Sequence, residues 1–100
     1  MAEAVVLEFS GVGETEYDAV NEKLGIDPKA GTGNWPAGLR MHAAGYSDDG
    51  TFIVSEIWTS RAAQAEFMHT RLGDALAAGG VTSAPKVTWF SVLAYQTPNA

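Results

Sequence analysis

The sequence predicts an α+β sandwich, a four-stranded antiparallel sheet with two helices on one face. Three observations carry this. Four apolar, strand-like runs and two helix-period segments follow the order β-α-β-β-α-β. The middle two strands are joined by Ser47-Asp48-Asp49-Gly50, a hairpin signal. Each helical segment has a polar start and a glycine stop.

Ala4 to Ser10, AVVLEFS, is β-branched and apolar with Glu8 on the alternate face, and reads as the first strand. After the turn SGVG, Thr15 is placed as helix N-cap with Asp18 three residues on. Tyr17, Val20 and Leu24 then form an apolar stripe on one helix face. Gly25 supplies a left-handed stop, and Asp27-Pro28 prevents continuation. Residues 28–37, PKAGTGNWPA, are expected as a long irregular loop carrying Trp35. Gly38 to Tyr46 and Thr51 to Trp58 read as the second and third strands. Ser60 opens a second helix from about Arg61 to Ala78, stopped by Gly79-Gly80, and Gly73 marks a kink within it. Lys86 to Gln96 is the last strand. The whole of 1–100 reads as one domain with the split β-α-β order of a ferredoxin-like fold.

Composition narrows the function. With 46% hydrophobic residues in a chain of 100, there is material for a real core. The net charge is −6 and the six Lys and Arg are scattered, so neither nucleic acid nor an anionic membrane surface is an expected partner. The absence of cysteine removes disulfides and thiolate metal sites. MAEAVVLEFS places acids where a signal peptide needs a basic flank, which leads to the expectation of a cytoplasmic protein.

Strand alternation gives each strand two faces. Val5, Leu7, Phe9 with Leu39, Met41, Ala43 and Ile53, Ser55, Ile57 are expected under the helices. The opposite set holds Val6, Phe52, Val54 and Trp58 beside Glu8, Arg40, His42 and Glu56. Two helices cover one face only, so that second set predicts a homodimer packed sheet to sheet.

The strand order, the length, and Trp58-Thr59-Ser60 followed by an amphipathic helix with Phe67 resemble the dimeric α+β barrel superfamily. That group includes the antibiotic-biosynthesis monooxygenases and related small proteins of unknown role. The resemblance spans nearly the whole chain. It implies a dimeric barrel and, by analogy with the monooxygenase branch, oxidation of electron-rich aromatics without metal or flavin. The haem-degrading branch uses an asparagine on the first strand and a histidine near the middle of the second helix. Here the first strand carries Glu8 and no asparagine, and His69 comes early on the helix, so haem is not expected.

His42 is the candidate catalytic residue. A neutral imidazole can take a phenolic or enolic proton, and the resulting anion can give an electron to O2. Arg40, Glu56 and Glu8 share its alternation face and are candidate substrate-binding groups. The competing reading makes His42 an interface histidine bonded to one of those carboxylates. Trp58 either stacks on a flat ligand or fills the dimer interface, and both readings set it against the partner sheet. Trp35 is either a lid or a plug against the neighbouring subunit, and His69 reads as a helix-edge residue. Ser10-Gly11-Val12-Gly13 lacks the third glycine of a nucleotide-binding turn, and Glu14 and Glu16 would repel phosphate there. Two lone histidines make no transition-metal site.

These readings lead to a homodimer that binds a small aromatic or polyketide-like compound, with no cofactor and no metal. It would be a cofactor-independent, monooxygenase-like protein. The alternative is a non-enzymatic dimeric module whose sheet–sheet interface is filled. An empty, polar-lined cavity on the order of several hundred Å3 at the sheet face would favour the first, and a filled one the second.

Overall fold

A computed structural model describes residues 2–100. The elements run β1 (Glu3–Phe9), α1 (Glu14–Leu24), β2 (Ile26–Asp27), β3 (Thr32–Gly33), β4 (Leu39–Tyr46), β5 (Phe52–Trp58), α2 (Arg61–Phe67), a π-helical turn (Met68–Leu72), α3 (Gly73–Ala78) and β6 (Lys86–Ser91). The main sheet is antiparallel in the order β4-β5-β1-β6. This is the ferredoxin-like α+β arrangement that the order of elements predicts.

Local chemistry explains the boundaries and corrects some of them. The N-cap of α1 is Gly13 and not Thr15, because Glu16 Oε1 reaches back to the Gly13 N–H at 2.8 Å. Gly25 closes α1 in the left-handed region at φ 73°. Residues 28–37 are less irregular than expected, since β3 falls among them and pairs with β2 in a small hairpin. Ser60 caps α2 by accepting from the Ala63 N–H at 3.1 Å. The expected kink in the second helix is a π turn, and α3 restarts at Gly73. The last strand ends at Ser91, short of Gln96.

The core lies between sheet and helices. Val5, Leu7 and Phe9 of β1 meet Val20 and Leu24 of α1 and Phe67 of α2. On β5 the expected faces are reversed. Phe52, Val54, Glu56 and Trp58 are all buried on the helix side, and the Trp58 ring, 0% exposed, packs on Phe67 at 5.7 Å. Trp58 therefore does not face a partner sheet. The reason is area: Phe, Val and Trp bury far more apolar surface than Ile53, Ser55 and Ile57. The cost of taking Glu56 inside is offset by two hydrogen bonds.

A bulge corrects the faces of β4. Leu39 pairs with Trp58 and Met41 with Ile57, which leaves Arg40 as an extra residue in the ladder. Beyond it the alternation changes phase. His42 and Tyr46 pair with Glu56 and Phe52 and join Leu39 on the helix side, while Met41 and Ala43 turn to the open face.

Candidate functional site

Between the sheet and the helices lies a cavity of about 270 Å3. Its walls are apolar residues of β1, α1, β5 and the second helical region, with Trp35 and Trp89 at its sides. Tyr17, Asn21, His42, Glu56 and Gln64 bring the remaining polar side chains to it. An apolar enclosure with a few converging polar groups is the usual form of a small-molecule site.

Four of the side chains beside it form one hydrogen-bonded chain. Trp58 Nε1 donates to Glu56 Oε1 at 3.0 Å. His42 Nδ1 lies 2.8 Å from Glu56 Oε2, and His42 Nε2 lies 2.5 Å from Tyr17 Oη. A Glu56 carboxylate takes the Nδ1 proton, so Nε2 is left to accept the Tyr17 O–H. Glu56 is 8% exposed, and the ion-pairing ends of His42 and Glu56 are nearly as hidden. The His42 ring is parallel to Tyr17 within 9°, and Trp35 packs over it at 5.5 Å. Packing and both ring nitrogens thus fix its orientation.

Burial pushes the Tyr17 phenol above its ordinary range. The neighbouring Asn21 amide works against that shift, and the charges of Glu56 and Asp18 reinforce it. Beside the first cavity is a second, of about 320 Å3, edged by Glu14, Lys29 and Tyr46. Tyr17, His42 and Phe52 line both, so the hydrogen-bonded pair stands between the inner cavity and an outer vestibule.

Of the residues singled out from sequence, His42, Glu56 and Trp58 come together, although on the helix face and not on the open one. Trp58 lies behind Glu56 and off the cavity wall, and Trp35 and Trp89 line the cavity instead. Arg40 is exposed at the bulge, and neither it nor Glu8 lines the cavity. Glu8 belongs to the opposite face, where Lys86 Nζ approaches it at 3.8 Å. The single face expected to hold Glu8, Arg40, His42 and Glu56 does not exist. His69 is exposed on the π turn. Trp35 faces this chain's own cavity.

Tyr17 and Asn21 were not foreseen as site residues. A signal was present: Tyr17, Val20, Asn21 and Leu24 have the spacing of one helix stripe, and Asn21 interrupts it with an amide. Among the described residues no three His, Asp or Glu side chains gather as metal ligands, and no helix is long and apolar enough to cross a membrane.

The chain matches no protein-family model and no curated protein sequence. Its fold is shared with solved structures. Rv0793 from Mycobacterium tuberculosis superposes with a TM-score of 0.68 at 20% identity, covering 97% of this chain and 100% of that one. NE2512 from Nitrosomonas europaea, a protein of unknown function, gives 0.59 at 20% identity over 99% and 94%. The monooxygenase ActVA-Orf6 of Streptomyces coelicolor, in complex with nanaomycin D, gives 0.57 at 20% identity over 97% and 91%. The chain thus shares the ferredoxin-like α+β fold of these structures.

Proposed function

We propose that this protein is a homodimeric, cofactor-independent monooxygenase-like enzyme acting on a flat, hydroxylated aromatic held between its sheet and helices. The observation that carries this reading is the part-buried chain Tyr17–His42–Glu56 at the edge of an otherwise apolar cavity. A fold neighbour that is a monooxygenase in complex with nanaomycin D is consistent with it, as analogy only.

Both nitrogens of His42 are engaged, so Tyr17 is the group that meets the substrate. A substrate hydroxyl gives its proton to Tyr17 Oη while Tyr17 passes its own to His42 Nε2. Glu56 faces the imidazolium that forms, and Trp58 holds Glu56 in place. The substrate anion then reduces O2 by one electron. Recombination at carbon gives a peroxide, and loss of water leaves one oxygen atom on the ring. The apolar walls keep bulk water from the anion.

The test uses 1-naphthol, followed by calorimetry and by an oxygen electrode. Saturable binding with oxygen uptake and formation of naphthoquinone and water is expected. Tyr17→Phe should keep the binding and lose most of the uptake, on the order of 100-fold or more. Failure of 1-naphthol to bind would return the protein to a non-enzymatic dimeric module.

A further inference from the structure

Asn21 is 8% exposed, lines the cavity, and its Nδ2 has no hydrogen-bond partner. Buried amides without an acceptor are rare, because the donor gives up water and receives nothing in return. Its place explains what it lacks. It stands one helical turn after Tyr17 on the same face of α1. It lies near enough to Tyr17 to favour the phenol's anion, while its Nδ2 finds no acceptor within hydrogen-bond reach. The terminal torsion of an asparagine is soft, so its N–H can swing to an oxygen held beside Tyr17.

We infer that the Asn21 amide is the donor for a ligand's hydroxyl oxygen once Tyr17 has taken its proton, so the site binds a phenol or enol as its anion. This rests on the proposed proton relay. The ligand O–H bond breaks and its electron pair stays on oxygen. The proton goes to Tyr17 Oη as the Tyr17 proton goes to His42 Nε2. The products are a ligand anion, a neutral phenol and an imidazolium beside the Glu56 carboxylate. The anion needs donors, because the charged neighbours of Tyr17 give it little help. Glu56 on β5 and Asp18 on α1 are negative. Lys29 lies in the outer vestibule, paired with Glu14 at 2.9 Å. The Tyr17 hydroxyl and the unpartnered Asn21 amide, neighbours on one face of α1, form an oxyanion hole of two donors; the other amide at the cavity, Gln64, belongs to α2.

The probe is 4-nitrophenol, whose anion is yellow, with nitrobenzene as the isostere that lacks the hydroxyl. Both are titrated into the full chain at a pH where free 4-nitrophenol is colourless. Wild type should bind 4-nitrophenol as the yellow anion, about tenfold more tightly than nitrobenzene. Asn21→Leu should lose about that factor and the colour, with nitrobenzene affinity unchanged. Asn21→Asp, which keeps the shape and removes the donor, serves if the leucine variant does not fold, and should behave alike. Unchanged affinity and colour in either variant would overturn the role of Asn21 and leave the cavity reading standing. Binding of 4-nitrophenol only as the colourless phenol in wild type would overturn anion capture. If neither compound binds wild type, the cavity reading fails, and the inference fails with it.

Discussion

At the residue scale, His42 is held by two partners that depend on it. Its Nδ1–H donates to one oxygen of a buried carboxylate, and its Nε2 accepts from the hydroxyl of a half-buried phenol. His42→Leu fills the space but leaves Glu56 Oε2 and the Tyr17 hydroxyl without that partner. The variant should lose about 2 kcal/mol in urea unfolding. The loss should shrink when Glu56→Leu is made in the same chain, because the carboxylate that needed the histidine is gone. A single His42→Leu variant more stable than wild type would contradict this. It would mean that the imidazole is strained in the free protein. Stability alone does not separate a structural histidine from a catalytic one here. The oxygen uptake of Tyr17→Phe does, since it removes only the hydroxyl that relays a proton from the cavity to His42.

At the element scale, the cavity depends on how closely α1 docks on α3. Gly79 ends α3 at φ −85°, a conformation open to any residue, so its glycine is required by space alone. A Cβ there would sit 2.5 Å from Val20 Cγ2. Gly79→Ala should therefore push α1 outward and cost about 1–3 kcal/mol by overpacking. A thermal melt that matches wild type would show that Val20 gives way freely. The four main strands and the two helical regions were legible in the sequence, because hydrophobic period and the Ser47–Gly50 hairpin agree on the same order, whereas the short β2–β3 hairpin was not. Which face of a strand turns inward was harder to read. On β5 the choice lay between a list with a charge and a list with less apolar area. Counting Glu56 as a surface residue chose the wrong list, since its partners on β4 and β5 are visible only after folding. On β4 the Arg40 bulge moves His42 across the sheet relative to simple alternation, and no residue type announces a bulge there. The candidate site was thus readable in its members His42, Glu56 and Trp58, and unreadable in its place. Tyr17 and Asn21 were hidden because a helix stripe was read for its apolar members.

At the scale of the whole molecule, the sheet still has a face that no helix covers. With β5 reversed and β4 shifted, that face carries Val6, Met41, Ile53 and Phe90 around a buried Ile57, and Phe90 is 54% exposed. Small residues surround them, namely Ala43, Gly45, Ser55 and Thr88, so a second sheet can approach closely. Leu93 and Tyr95 extend the apolar surface beyond β6. The case for a homodimer therefore survives the exchange of residues, though it now rests on aliphatic groups and one phenylalanine, without Trp58. Charge cannot hold such a pair, because each chain carries −6 and two copies repel. A dimer would therefore form by apolar burial, and raising the salt should preserve or slightly tighten it by screening the repulsion. Light scattering at micromolar concentration in low and high salt measures this directly. The expected mass is twice that of the chain in both. Ile53→Lys combined with Phe90→Lys should give a folded monomer with a nearly unchanged melting curve, since neither side chain belongs to the core between sheet and helices. A monomeric wild type would mean that the open face is tolerated in water, and a barrel built from two sheets would no longer describe this protein.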